Sequence, residues 1–130
     1  MRFALGQINP TVGDLEGNAR IMQNYMQRAI DSDANFIIFP ELSITGYPPQ
    51  DLVLENRFIK DNKKILKKLA KNNKKIYAIV GFVDYDDANK YNSAALLGDG
   101  KILGVTHKTH LPTYDVFDED RYFTPSDTTV

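Results

Sequence analysis

Phe36-Ile37-Ile38-Phe39-Pro40-Glu41-Leu42-Ser43-Ile44-Thr45-Gly46-Tyr47-Pro48-Pro49 is the stretch from which the rest of this 130-residue chain can be read. Four apolar residues in a row have the pattern of a strand buried on both faces. Pro40 has no N–H to give a sheet ladder, so the strand is expected to end there. Glu41 then stands at the mouth of a core strand, where the catalytic groups of open α/β sheets gather. A carboxylate beside apolar walls is a candidate general base. The same side chain could instead cap the following loop through backbone N–H groups.

Outward from that strand, the chain alternates. Phe3 to Ile8 reads as a short first strand closed by Asn9-Pro10. Asp14 is positioned as an N-cap for a helix to about Asp31, whose apolar positions Leu15, Ala19, Met22, Met26 and Ala29 fall on one face. A second helical region runs from Asp51 to Asn73 with a break expected near Asn56. Its lysines (Lys60, Lys63, Lys64, Lys67, Lys68 and Lys71) crowd the faces away from Ile65 and Leu69. Without interleaved aromatics they read as a solvated helix face rather than a nucleic-acid surface. Lys75–Phe82, Tyr91–Leu97 and Lys101–Thr106 are three further strands. The last two are joined by Asp99-Gly100, a hairpin dipeptide, and Asp84 to Asn89 forms a polar turn.

The order β-α-β-α-β-β-β predicts a layered α/β protein in which the two helices cover one sheet face. The other face is left open, so either a partner chain covers it or this sequence belongs to a longer protein.

Sixteen Lys and Arg against seventeen Asp and Glu give a net charge of −1, which offers no general pull toward nucleic acid or an anionic membrane. No apolar run approaches the roughly 18 residues of a membrane span, and the N-terminus reads as a strand rather than a signal peptide; a cytoplasmic protein is the expectation. Cysteine is absent, which excludes disulfides, thiolate metal sites and a cysteine nucleophile within these residues.

Beyond Glu41, two groups invite a chemical reading. Lys108 follows the last strand directly and could hold a developing oxyanion as a fixed point charge, or simply be solvated. Glu119 lies among Phe117, Tyr122 and Phe123 with Arg121 two residues on, which suits a structural ion pair as well as catalysis. His107 and His110 form no complete ligand pattern, and no metal is expected. Gly-rich phosphate loops and the GxSxG elbow are missing.

Taken in order, Gln7–Asn18, Phe39-Pro40-Glu41 through Tyr47-Pro48-Pro49-Gln50-Asp51-Leu52, and Lys108-Thr109-His110-Leu111-Pro112-Thr113-Tyr114 with Val116–Phe123 resemble the nitrilase, or carbon–nitrogen hydrolase, superfamily. The Tyr-Pro-Pro-x-Asp-Leu stretch resembles its NAD+ synthetase branch, in which a glutaminase domain feeds ammonia to an ATP-dependent synthetase domain. The resemblance implies the N-terminal half of an αββα sandwich over residues 1–130, with glutamine as substrate. It implies Glu41 as general base, Lys108 as oxyanion-stabilising cation and Glu119 as a supporting carboxylate. Tyr114 would line the glutamine pocket, and Tyr47 would close it.

That family's nucleophile is a cysteine on the strand after the lysine loop, beyond Val130. The expectation is therefore a partial domain, inactive alone, that carries two members of a Glu-Lys-Cys triad. Its partners would be the remaining half of the sandwich and the synthetase domain, with ATP and Mg2+ belonging to the latter and no cofactor in this segment. Uncovered apolar sheet would favour self-association into a homo-oligomer. The alternatives are a free-standing amidase and a non-catalytic binding or assembly module.

Overall fold

Two crossovers and two hairpins build a single sheet in the computed structural model, which describes residues 1–127. The elements are β1 (Phe3–Leu5), α1 (Leu15–Asp31), β2 (Phe36–Ile38), α2 (Asn56–Asn72), β3 (Tyr77–Tyr85), β4 (Lys90–Gly98) and β5 (Lys101–His107). Short 3-10 turns lie at Gln50–Leu54 and Glu119–Arg121. The sheet order is sequential, β1-β2-β3-β4-β5, parallel across the first three strands and antiparallel across the last three. Helical crossovers join the parallel strands and tight turns join the antiparallel ones. At the second turn Asp99 and Gly100 both have positive φ, 52° and 75°, as a two-residue hairpin of the expected kind requires.

Asp14 caps α1 as expected, its carboxylate accepting the Gly17 N–H at 2.9 Å. The break expected near Asn56 is real: the 3-10 turn ends at Leu54 and α2 starts two residues on. Both helices lie on one face of the sheet. There Met22, Met26 and Ala29 of α1 and Ile65, Leu66 and Leu69 of α2 pack on Ile37, Ala78, Val80, Phe82, Ala95 and Leu97. Burial of each large side chain in this layer contributes about 1.5–3 kcal/mol.

Three expectations need correction. The Phe36–Phe39 segment is not buried on both faces: Ile37 is buried toward the helices, but Phe36 and Ile38 are half-buried on the face opposite. On that face the rings of Phe3, Phe36 and Tyr77 stack across three strands with centroids 5.2 and 5.1 Å apart. The first strand ends at Leu5 rather than Ile8, because the following residues turn on local N–H···O bonds, Gln7 to Leu5 and Ile8 to Gly6. β3 continues through Asp84 to Tyr85, into the expected turn, because Lys90 and Tyr91 of β4 extend its ladder.

The free edge of β3 beyond β2 determines where the site loops go. A buried strand edge must have its polar groups paired. Phe39 N–H bonds to Ile79 O at 3.0 Å. Ile44 N–H then bonds to Gly81 O at 3.1 Å, while the Ser43 hydroxyl accepts the Gly81 N–H at 3.2 Å. Further on, the buried Asn62 side chain of α2 takes over, donating to Val83 O and accepting from Val83 N–H. The loop after β2 is thus laid along the continuation of a strand.

A second, smaller core holds this loop down. Leu42, Val53, Ile59, Val83 and Phe123 are buried together, with Tyr47, Leu111 and Tyr122 against them. Leu42 follows Glu41 and Phe123 lies four residues beyond Glu119, so one apolar cluster anchors both acidic segments.

Candidate active site

Gly81 explains how a carboxylate that leaves β2 can reach across the sheet. A Cβ at this position would fall inside contact distance of the Leu42 backbone N and 2.7 Å from Pro40 O. Glycine alone lets the Pro40–Leu42 backbone lie directly on β3. Leu42 adopts a left-handed φ of 48°, costly for a leucine, while its side chain is fully buried in the small core. Asn18 of α1 supports the loop from behind. It donates to Ile44 O at 3.0 Å and to Thr11 O at 2.8 Å, and accepts the Thr11 N–H at 2.8 Å.

Glu41 Oε1 lies 2.7 Å from Lys108 Nζ. Lys108 Nζ is also 3.2 Å from each carboxylate oxygen of Glu119. The Tyr47 hydroxyl donates to Glu119 Oε1 at 2.9 Å. Four of the five residues singled out from the sequence therefore converge. Tyr114 does not join them: it is 69% exposed and meets the ring of Phe117 edge-on, 5.6 Å between centroids.

The surroundings of Glu41 differ from the apolar walls expected for it. Its side chain is 45% exposed and is held by an ammonium and an amide rather than by apolar groups. Glu119, with its side chain only 6% exposed, is the buried carboxylate of the pair. Partial burial pushes the Lys108 ammonium down, but its hydrogen bonds to Glu41 and Glu119 outweigh that, and its pKa is raised above the usual lysine value. Burial, and then the hydrogen bond to Glu119, push the Tyr47 phenol well above its ordinary range. At neutral pH the cluster therefore holds a fixed cation and an un-ionised phenol.

Sequence reasoning missed Asn92. It lies in β4 directly across from Lys108, whose backbone N–H donates to Asn92 O at 2.8 Å. Its side-chain amide donates to Glu41 Oε1 at 2.5 Å and to Glu119 Oε2 at 3.4 Å. A buried asparagine in the polar first half of β4, cross-strand from the candidate lysine, was the available signal.

An open hollow of about 280 Å³ lies beside these groups, walled by Glu41, Asn92 and Lys108 and floored by Gly81 and Ala94. These cross-strand partners are small, so the floor lies low. His107 points to the opposite, helix-bearing face, where Nδ1 is 2.7 Å from Ser93 Oγ and the ring stacks on Tyr91. Among the described residues no group of three or more His, Cys, Asp or Glu side chains has the arrangement to hold a metal ion. Among the same residues no helix is long and apolar enough to cross a membrane.

The family pattern described as carbon–nitrogen hydrolase matches residues 2–130. The glutamine-dependent NAD(+) synthetase of Thermotoga maritima is 43% identical over 129 residues, covering 98% of this chain and 22% of that protein. The enzyme of the same name from Acinetobacter baylyi is 43% identical over 125 residues, covering 95% of this chain and 23% of its own length. Among solved structures, glutamine-dependent NAD+ synthetase from Acinetobacter baumannii in complex with ADP gives a TM-score of 0.91 at 39% identity, over 97% of this chain and 24% of that one. An amidase from Nesterenkonia sp. gives 0.83 at 22% identity over 98% and 49%, a likeness of fold. This chain thus spans about a quarter or less of the synthetases it matches.

Proposed function

The chain belongs to the carbon–nitrogen hydrolase family, and on that premise we propose that residues 1–130 form the first part of a glutamine-hydrolysing domain. In this reading the whole protein is an NAD+ synthetase that passes the released ammonia to deamido-NAD+. The observation that carries the reading is the 2.7 Å pair of Glu41 and Lys108, beside a hollow on the sheet face without helices.

Glu41 takes the proton of a cysteine thiol supplied by the remainder of the polypeptide. The thiolate attacks the glutamine side-chain carbonyl carbon, and the oxyanion that forms faces the Lys108 ammonium, whose raised pKa keeps it charged. Collapse expels the amide nitrogen as ammonia, with the proton returned from Glu41, and leaves a thioester. Water, deprotonated by Glu41, then releases glutamate and restores the thiol. Glu119 holds Lys108 in place, and Tyr47 fixes Glu119. Tyr114, exposed as it is, would meet glutamine at the outer wall of the pocket.

Phe3, Leu5 and Tyr77 are exposed on the open sheet face, and in this reading the other half of the sandwich covers them. The chain alone would self-associate through the same apolar surface. ATP and Mg2+ are assigned to the synthetase domain of the longer protein. This chain carries neither a Gly-rich phosphate loop nor, among its described residues, a carboxylate cluster suited to the metal. A free-standing amidase would carry the same pair, but 43% identity with synthetases against 22% with the amidase favours the synthetase.

The test is ammonia release from glutamine. The 130-residue chain should give none above a buffer blank, and the full polypeptide should give turnover. Turnover by the short chain would refute the need for the cysteine, and none by the full polypeptide would refute the assignment.

A further inference from the structure

We propose that Asn92 is a positioning residue for the general base: it anchors Oε1 of Glu41, which leaves Oε2 as the oxygen that moves the proton. The inference rests on the reading of Glu41 as that base.

Two carboxylates share one ammonium at this site. Lys108 Nζ lies 2.7 Å from Glu41 Oε1 and 3.2 Å from both oxygens of Glu119, so one positive charge faces two negative ones. Like charges this close repel, so further hydrogen-bond donors are needed to hold both carboxylates in place. Among the described residues the Asn92 amide is the one neutral side chain that bonds to both, donating to Glu41 Oε1 and Glu119 Oε2. Which way the amide faces follows from chemistry, since ionised carboxylates only accept and the nitrogen must turn toward them. Its two N–H groups suit two acceptors. No additional ammonium could be placed here without giving Glu41 a second cation that competes for its lone pairs.

The placement is rigid. Asn92 is 4% exposed and sits in the middle sector of the sheet, paired with Val83 of β3 on one side and with the Lys108 backbone on the other. Its side chain therefore holds its geometry while Glu41, on the loop, is the exposed partner. Oε1 of Glu41 receives both donors, from Asn92 and from Lys108. Among the described residues Oε2 has no hydrogen-bond partner, and Glu41 borders the hollow. An oxygen already accepting two charge-assisted or amide bonds is a poor proton acceptor, and an unengaged one is a better one. The amide thus sorts the two oxygens of one carboxylate into an anchored atom and a working atom.

The titratable groups facing Glu41 are Lys108 beyond β5, Glu119 of the 3-10 turn and Tyr47 of its own loop. Loss of the Asn92 donor frees Oε1 on one side while these neighbours stay in place, so Oε2 no longer keeps one position beside the hollow.

The experiment uses the full polypeptide and measures glutamine-supported ammonia release with Asn92→Ala, with the near-isosteric Asn92→Asp, and with Glu41→Gln. Both Asn92 variants should lower kcat by about 10²-fold, as misplacement of a catalytic group does. KM should change less than about threefold, and Asn92→Asp should not restore what Asn92→Ala loses, because an ionised carboxylate has no hydrogen to donate to Glu41 Oε1. If Glu41→Gln abolishes turnover while both Asn92 variants keep kcat, the inference is overturned and the base assignment stands. If Glu41→Gln keeps turnover, the base assignment fails and the inference with it. Should either Asn92 variant fail to fold, the 15N-labelled side-chain amide of Asn92 is compared by NMR between the parent and Glu41→Gln. A shifted resonance supports the inference, and an unmoved one overturns it.

Discussion

Glu41 and Glu119 reach the same ammonium from segments built in opposite ways. The Glu41 loop is closely anchored: Leu42 to Gly46 are all buried, tied to β3 by backbone bonds and to α1 by Asn18. Yet its carboxylate is half in solvent. The segment around Glu119 is mostly exposed, held through Phe123, Tyr122 and a single 3-10 turn, yet its carboxylate is the buried one. The difference teaches how the labour divides. In the proposed reading, Glu41 exchanges protons with substrate and so has a fixed backbone and an open end, whereas Glu119 only fixes a lysine and can be closed in.

The comparison breaks most readily at Gly81. Gly81→Ala should cost about 3 kcal/mol, since overpacking a well-filled site is expensive and the nearest atoms are backbone. Urea denaturation reads it, and an unchanged midpoint would show that the Glu41 loop does not need the sheet beneath it. Asn18→Ala comes next. It orphans the Thr11 N–H and the Ile44 carbonyl, while the Thr11 carbonyl keeps the Asp14 N–H at 3.2 Å, so about 2–3 kcal/mol should be lost, with the Glu41 loop affected and the Glu119 segment not. Hydrogen exchange at Gly13 and Ile44, against exchange at Tyr122 and Phe123, measures that split.

Alkaline pH sharpens the contrast from the other side. Lys108 and Tyr47 both have folded-state pKa values raised above their ordinary 10.5 and 10.0. Each therefore contributes stability that is complete below those values and is lost as pH rises through the folded pKa. Stability should fall above about pH 10. Glu119→Gln removes an upward push on both groups, so its loss should be shallower, and the Tyr47 absorbance should titrate at lower pH than in the parent. The smallest effect belongs to Tyr114→Ala. An exposed ring touching one neighbour should change stability by less than about 0.5 kcal/mol. If Tyr114 lines the glutamine pocket, the full polypeptide should show a raised KM with kcat nearly kept.

Much of this architecture was legible because periodicity reports directly on burial. The 3.6-residue stripe of α1, its Asp14 cap and the Asp99-Gly100 turn each follow from local rules that the tertiary structure does not override. The burial of β2 was misread because an apolar run does not say whether its second face is covered by helices or left open. The extent of β3 was misread because strand length is set by its partner, here Lys90 and Tyr91 of β4, rather than by its own polarity.

At the site, Glu41 and Lys108 could be singled out because each follows a strand end, where side chains project from a rigid frame. That they meet was expected from the resemblance and not from the local pattern, since it depends on Gly81 letting a loop cross β3. Asn92 went unseen because a lone amide in a strand looks like ordinary alternation until its cross-strand neighbour is known. Tyr114 was placed by motif resemblance alone, and among the described residues its side chain makes no hydrogen bond to the acidic pair and meets the ring of Phe117 instead.

The central claim is that the carboxylate of Glu41, paired to Lys108, moves the proton in amide cleavage. The direct measurement is Glu41→Gln in the full polypeptide, with NAD+ formation followed once with glutamine and once with added ammonia as nitrogen donor. The account predicts a fall of about 10³-fold or more with glutamine, equivalent to about 4 kcal/mol of barrier, and little change with ammonia. Glutamine-supported formation that survives the substitution at the parent's rate would contradict it.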